Sequence, residues 1–476
     1  MQPPLCVDLD GTLIHSDMLH ESALSLLKSQ PLSLLQFPVW LAQGKSVLKQ
    51  KIALVADFNP ATLPYNQSFL CWLREQREEG RKLVLCTASD RLIADRIANH
   101  LDLFDDVMAS EGQVNLAGQH KADALVRRYG EKGFDYAGNS SADFAVWEHA
   151  RKGIVVNASR TVQQDAEECV EVERVFEGPN NGFAVWGRVL RVHQWLKNVL
   201  LFTPLIAAHR IGELDAWMQL LLAFVAFSLC ASSVYVANDL LDLESDRHHP
   251  RKCQRPFASG AVPVWQGCII APFLMVSSFA VALYVGGSFL SWLVGYFLLT
   301  CLYSLKLKQL ALVDCLTLAL LYTLRILSGA AAVSMELSFW LLAFSGFLFL
   351  SLSFVKRFAE LQMQILHNKH KAHGRGYYSS DAPLVQMLGI ASGFSAVLVL
   401  AMYLNSKEVL LLYRNPEWIW GTVPVMLFWI SWMWLRAVRG QMHDDPLVFA
   451  VKDKASLVAG LVFALLLLAG SVGGMA

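Results

Sequence analysis

The chain has no charge of either sign in excess: 40 Lys and Arg side chains balance 40 Asp and Glu. Recognition of nucleic acid or another polyanion draws on a basic surplus, and this composition offers none. The nine cysteines are scattered with no short paired spacing, so neither a zinc site nor a disulfide framework is indicated. Cys6 and Cys86 fall in expected buried strands. Cys230, Cys268, Cys301 and Cys315 fall in expected membrane helices, where a thiol acts as a small apolar side chain. Met1 to Asp10 hold no basic region and no long apolar run, so the N-terminus is not expected to be a signal peptide. No internal repeat is evident. Apolar side chains are abundant, at 54% of 476 residues, a length with room for two or three domains. They are unevenly spread. Residues 1–180 read as an ordinary soluble domain, and from about 198 onward apolar runs of membrane-spanning length follow one another.

About nine such segments are expected, at roughly 198–209, 215–237, 262–284, 288–304, 311–333, 337–355, 384–404, 417–435 and 453–474. The loops after every second one are basic. They carry Arg247, Arg251, Lys252 and Arg255; Lys306 and Lys308; Lys356, Arg357, Lys369, Lys371 and Arg375; and Arg436, Arg439, Lys452 and Lys454. The opposite loops offer only Arg210, Lys407 and Arg414. This asymmetry places the basic loops and the N-terminal domain in the cytoplasm. Gly178, Pro179, Asn180, Asn181 and Gly182 read as a linker. The expected division is 1–176, a linker at 177–185, and a membrane domain at 186–476.

In the first part, the strand Leu5-Cys6-Val7 runs into Asp8-Leu9-Asp10-Gly11-Thr12. Alternate positions point the two carboxylates to one side, at the C-terminal sheet edge where open α/β folds hold their sites. A carboxylate there can attack phosphorus while its neighbour moves protons and Mg²⁺ offsets the charge. Lys82 to Ser89 reads as a second strand ending in the Thr87 hydroxyl. Lys121 opens a helix, and Tyr136-Ala137-Gly138-Asn139-Ser140-Ser141-Ala142-Asp143 supplies a third strand and a metal-binding loop. These four segments, in this order, resemble the haloacid-dehalogenase phosphatase superfamily over roughly residues 1–165. The resemblance implies a Rossmann-like α/β domain with Asp8 as nucleophile and metal ligand. It makes Asp10 the general acid/base and a second ligand, Thr87 and Lys121 the phosphate ligands, and places Asn139 and Asp143 at Mg²⁺. One departure matters. The last motif usually begins Gly-Asp, and Gly138-Asn139 brings an oxygen ligand without charge. Residues 14–75 are expected to form a helical cap, whose apolar stretch Leu32 to Ala42 suits the cap's own core, its contact with the membrane domain or the bilayer surface.

The run Asn238-Asp239-Leu240-Leu241-Asp242-Leu243-Glu244-Ser245-Asp246 ends an apolar segment with acids spaced three and four apart, on one helix face. Clustered carboxylates at the end of a membrane helix are costly unless a cation sits between them. Oxygen ligands suit Mg²⁺, which commonly bridges carboxylates to substrate phosphates. With Arg255-Pro256-Phe257-Ala258-Ser259-Gly260 behind it, the segment resembles the UbiA-type intramembrane transferases over roughly 186–474. That family implies an all-α polytopic bundle of about nine helices. It also implies Mg²⁺ and an activated diphosphate at Asp239, Asp242 and Asp246 with Asn238, Asp239 and Asp242 being catalytic. The paired His248-His249 lies beside basic residues and is not read as a metal site.

Prenyl-transferring members usually carry a second DxxxD motif. Here Asp314 stands alone, because position 318 is Leu. Lys306, Lys308, Arg325, Lys356 and Arg357 bring positive charge instead, which suits a second, anionic substrate. Four stretches resemble the decaprenyl-phosphate phosphoribosyltransferase branch: Gln194 to Asn198, Lys356 to Leu361, Gly374 to Tyr378, and Asp444 to Ala450. The resemblance implies Mg²⁺-dependent transfer of 5-phosphoribosyl from phosphoribosyl diphosphate to a polyprenyl phosphate. Lys197, Tyr303, Lys306, Arg325, Lys356 and Arg357 are candidate substrate ligands. Arg325 is the most pointed of these, since an arginine inside a membrane segment is functional by default. Asp444 and Asp445 read as a helix start before Pro446. The chain is thus expected to be bifunctional, a multi-pass protein of a bacterial inner membrane whose phosphatase domain dephosphorylates the lipid-linked product. The alternatives are a prenyltransferase acting on an aromatic or other small acceptor and, in another class, a cation-coupled transporter.

Overall fold

A computed structural model of the protein describes residues 2–29, 36–42, 45–55, 58–112, 114–178, 182–249, 251–366, 375–406, 409, 413, 415–442 and 445–472. Of the positions singled out above, Leu32, Pro179, Asn180, Asn181, Lys369, Lys371, Gly374, Lys407, Arg414 and Asp444 lie outside the described residues. The chain divides into two compact units, Met1–Leu190 with Tyr235–Ala271, and Arg191–Val234 with Pro272–Ala476.

The first unit is built on a six-stranded parallel sheet of order β3-β2-β1-β4-β5-β6. Its strands are β1 (Leu5–Val7), β2 (Leu83–Asp90), β3 (Asp106–Ser110), β4 (Asp135–Gly138), β5 (Lys152–Val156) and β6 (Glu171–Phe176). β1 is apolar at every position and fully buried, as a central parallel strand covered on both faces must be. The strand order reverses at β1, which pairs with β2 on one side and β4 on the other, so a crevice opens beyond its C-terminal end. Asp8 follows that end directly. The expected cap is present as α1 (Met18–Ser29), α2 (Phe37–Ala42) and α3 (Lys45–Val55). The later part of this unit brings Leu240, Leu243, Phe257 and Ala258 into one apolar core with Leu24 of α1 and with Val185 and Val189.

The second unit is helical. Eight helices of the whole chain are long and apolar enough to cross a membrane among the described residues. They are Leu214–Leu241, Val264–Val285, Gly287–Leu305, Val313–Ala332, Phe339–Leu366, Ser379–Leu404, Pro416–Val438 and Lys454–Ser471. Val313–Ala332 is the most enclosed of them, and Lys454–Ser471 is the most exposed to its surroundings. The count is eight where about nine were expected, and the difference lies in the first segment, 198–209. There the chain forms a 3₁₀-helix, Val192–Phe202, followed by a short α-helix, Thr203–Ala207, with Pro204 in its first turn. Lys197 and Asn198 are buried within this stretch and hydrogen-bonded inside the bundle, so it cannot present an apolar surface all round.

Candidate active sites

The first candidate lies at the end of β1. Gly11 turns the chain at φ +75°, and a Cβ there would stand 2.1 Å from the Asn139 amide, so the loop requires glycine. Lys121, near the start of the helix Gln119–Tyr129, reaches Asp8 Oδ1 at 2.8 Å and the Tyr136 hydroxyl at 2.9 Å. Tyr136 in turn donates to Asp143 Oδ1 at 2.7 Å. Asp10 accepts from the Met18 amide at 2.8 Å, from Ser89 Oγ at 2.7 Å and from Thr87 Oγ1 at 3.5 Å. The fold therefore gathers Asp8, Asp10, Thr87, Lys121, Asn139 and Asp143 around one crevice. Thr87 faces Asp10, and Asn139 Oδ1 accepts from Thr12 at 3.3 Å. The second oxygen of Asp143 accepts from the backbone amides of Asn139 and Ser140, closing its own loop.

Burial pushes the Asp8 carboxyl up to about 7 against the pull of Lys121, and burial raises Asp10 as well. Burial alone would lower Lys121, yet Asp8 and Asp143 outweigh it and hold the ammonium above its usual range. Lys121 pairs with Asp8 and lies 4.0 Å from Asp143, so one buried ammonium serves two carboxylates, with the half-buried Asp10 on the same loop as Asp8. That donor set, hard oxygens with negative charge in excess, fits Mg²⁺.

The second candidate is the aspartate run. The helix Leu214–Leu241 carries Asn238 and Asp239. The helix breaks at Asp242, which occupies the position before the short helix Leu243–His248 carrying Asp246. Backbone bonds from Asp242 to Asn238 and from Asp246 to Asp242, each 2.8 Å, keep the spacing helical across the break. Asp239 and Asp246 are buried and meet at Arg255, whose Nη1 lies 3.0 Å from Asp239 Oδ1 and 2.5 Å from Asp246 Oδ2. Asp242 is half-buried. Among the described residues no three His, Cys, Asp or Glu side chains converge on one metal-sized point. The fit to a cation rests on two observations. A guanidinium already bridges the two carboxylates, and among the described residues the buried Asp246 Oδ1 has no hydrogen-bond partner, with Lys252 Nζ 3.7 Å away.

In the second unit, Asp445 holds two lysines. Its Oδ2 lies 2.7 Å from Lys197 Nζ and 3.2 Å from Lys356 Nζ, and the Tyr322 hydroxyl donates to its Oδ1 at 3.1 Å. Burial would raise this carboxyl, but Lys356 and Lys197 hold it well below the usual carboxylate range. Asp445 also caps the helix Pro446–Lys452 through the Leu447 amide, as the reading of a helix start anticipated. Arg325 is buried with neutral hydrogen-bond partners: Asn198 Oδ1 at 2.9 Å, the Leu321 carbonyl at 2.6 Å and the Tyr296 hydroxyl at 3.1 Å. Its guanidinium also lies 4.9 Å from the Tyr296 ring centre. Arg357 is fully buried, 2.5 Å from Asp314 and ion-paired with Glu360. Asp314 further accepts from the Tyr377 hydroxyl at 2.6 Å. Tyr303 accepts from Arg375 at 3.0 Å. Lys306 is exposed just past the end of Gly287–Leu305, where a lysine snorkels to headgroups.

Sequence reasoning passed over several of these side chains. Ser89 was within reach of the strand period, two positions beyond Thr87 on the same face. Tyr136 and Arg255 stood inside quoted motifs without a role of their own, and the paired role of Asp445 carried no local signal because its lysines lie 89 and 248 residues away.

Comparison with known proteins bears on both halves. The model of the UbiA prenyltransferase family matches residues 199–452. The uncharacterized protein y4nM of Sinorhizobium fredii is 36% identical over 97% of this chain and 90% of its own. The decaprenyl-phosphate phosphoribosyltransferase of Mycobacterium tuberculosis is 36% identical over 61% of this chain and 95% of its own. A solved UbiA homolog from Archaeoglobus fulgidus, bound to GPP and Mg²⁺, is similar over 60% of this chain and 98% of that one. Its identity is 15% and its TM-score 0.43.

Proposed function

The chain belongs to the UbiA prenyltransferase family, and from that premise we propose that it transfers 5-phosphoribosyl from phosphoribosyl diphosphate to a polyprenyl phosphate and then removes the 5-phosphate. The observation that carries the first step is the pairing of Lys197 and Lys356 on the single carboxylate of Asp445. Two ammonium groups gathered at one carboxylate suit a lipid phosphate, and a neutral aromatic acceptor has no use for them. The name of the mycobacterial relative, decaprenyl-phosphate phosphoribosyltransferase, points the same way. Prenyl transfer from a second acidic motif is disfavoured, since Asp314, the lone acid there, is committed to Arg357 and Tyr377.

In this reading Asp239, Asp242 and Asp246, with Asn238, hold Mg²⁺ and the diphosphate. The ion, when bound, neutralises charge on the departing diphosphate. Arg255 is placed to follow that charge. The lipid phosphate oxygen forms a bond to ribose C1 while the bond from C1 to the diphosphate oxygen breaks, and the diphosphate leaves with the electron pair. Lys197 and Lys356 hold the attacking phosphate, and Arg325 braces the Asn198 segment beside Lys197.

The product is a phosphomonoester at the membrane surface. Asp8 attacks its phosphorus, the ester P–O bond breaks, and the leaving ribose oxygen takes a proton from Asp10. Water then cleaves the aspartyl phosphate as Asp10 takes the proton back. Raised by burial, Asp10 is suited to donate first. Lys121 and Thr87 hold phosphoryl oxygens. Asp8, Asp10 and Asn139 are the groups open to Mg²⁺, with Asp143 shaping the loop. Basic loops around Arg247, Lys306, Lys356 and Arg436 support an inner-membrane protein with these sites on the cytoplasmic side.

The test is an incubation of purified protein with labelled phosphoribosyl diphosphate, a polyprenyl phosphate and Mg²⁺, followed by lipid extraction. Label is expected in the lipid, lost in Asp239→Asn, and retained with its 5-phosphate in Asp8→Asn. Absence of lipid label, with transfer instead from a prenyl diphosphate to an aromatic acid, refutes the reading.

A further inference from the structure

The turn after Asp10 and the loop after Asp246 are joined in the first unit by contacts that neither proposed chemical step uses. Asp10 accepts from the Met18 amide, the first residue of α1. One turn later Glu21 receives both terminal nitrogens of Arg247, at 2.7 and 3.1 Å, and Ser16 donates to the same carboxylate. Arg247 directly follows Asp246 and also donates from Nε to the Ala258 carbonyl at 3.2 Å. Two residues on, Gly260 at φ +74° lies against His15, so close that a Cβ would stand 2.4 Å from the His15 Cβ. A continuous path thus runs from Asp10 through the 15–21 turn to Arg247 and the 255–260 loop, whose Arg255 bridges Asp239 and Asp246.

Stability alone does not explain a charged pair here. Both side chains are only 7% exposed. Desolvating such a pair offsets most of its attraction, and an apolar pair of similar shape would serve as well or better. The junction already has that apolar contact, with Leu24 set among Leu240, Leu243 and Phe257. A bidentate guanidinium–carboxylate contact adds orientation, since two parallel bonds fix the angle between the elements that carry them.

We infer that Glu21 and Arg247 form a positioning pair that holds the mouth of the Asp8 site in register with the aspartate loop, so that the phosphomonoester formed at the loop passes to Asp8 without release into the bulk membrane. The inference rests on the two-step reading above. Its advantage is one of effective concentration, which a fixed geometry raises and a loose one forfeits.

The test uses the full chain in lipid nanodiscs, with labelled phosphoribosyl diphosphate, polyprenyl phosphate and Mg²⁺. A chase of unlabelled phosphorylated lipid, made beforehand with Asp8→Asn enzyme, is present from the start. With wild type the chase is expected to leave the label in dephosphorylated lipid nearly unchanged. In Glu21→Gln and Arg247→Gln, and independently in Gly260→Ala, a tenfold chase is expected to dilute that label about tenfold. Hydrolysis of p-nitrophenyl phosphate should stay at the wild-type rate in all three. Equal resistance to the chase in wild type and variants overturns the inference, as does dilution in wild type itself. A parallel fall of p-nitrophenyl phosphate hydrolysis and transfer would make the pair a folding element and overturn it too. A wild type that labels no lipid, or never dephosphorylates it, fails the two-step reading instead, and the inference with it.

Discussion

Asp445 Oδ2 lies 2.7 Å from Lys197 Nζ, a contact that closes across 248 residues of sequence. With Lys356 on the same oxygen, the carboxylate keeps two ammonium groups together inside the second unit. Replacing it with a neutral isostere leaves like charges facing each other with little solvent. Asp445→Asn should therefore destabilise the protein by about 3–5 kcal/mol, the usual cost of stranding a buried charge. A thermal unfolding midpoint unchanged from wild type in the same detergent would refute the pairing.

Arg255 stands where a cation is needed between Asp239 and Asp246. Without it the two buried carboxylates repel, and a divalent ion gains more by binding between them. Arg255→Gln should unfold at lower temperature than wild type in chelator and recover most of the difference with millimolar Mg²⁺. The Mg²⁺-dependent shift should be larger in the variant than in wild type. Equal shifts would mean the ion binds elsewhere.

The crevice at Asp8 should respond to pH without metal. Asp8 titrates at about 7 in the folded chain, above the ordinary aspartate range, and Asp10 is raised in the same direction. A folded state that retains protons which the unfolded state has released is most stable at low pH, and loses that contribution as pH rises through the folded-state value. With chelator present, protection of the β1 and β4 amides against hydrogen exchange should fall between about pH 4 and 7. Mg²⁺ should restore it at pH 8, and Asp8→Asn should flatten the dependence.

Arg325 uses three separate nitrogens on Asn198, Leu321 and Tyr296. A lysine carries the charge but cannot reproduce that fork. Arg325→Lys should lower transferase kcat/KM by about tenfold or more, the loss expected when a charged hydrogen bond worth about 1.5–3 kcal/mol is broken. Wild-type kinetics in this variant would show that only the charge matters.

Much of this molecule is legible along the chain because the relevant physics is local. A parallel strand buried on both faces must be apolar, so Leu5-Cys6-Val7 announces itself, and the carboxylates at its end follow from the period of the strand. Membrane-spanning helices need long apolar runs, and the eight found here coincide with the expected segments. The aspartates at 239, 242 and 246 declare a shared face by their spacing. Other features could emerge only in three dimensions. Nothing in residues 192–202 announces a 3₁₀-helix, which depends on burying Lys197 and Asn198 among other helices. Arg357 reads as an anion ligand until Asp314 and Glu360 are found beside it. Asp445 reads as a helix cap until two lysines arrive, and the pairing of Glu21 with Arg247 appears only in the folded chain. Sequence alone determines which residues are apolar, at what period, and where charge must be compensated. Which opposite charge compensates it is decided by tertiary structure, because Coulomb attraction depends on distance in space and is indifferent to distance along the chain.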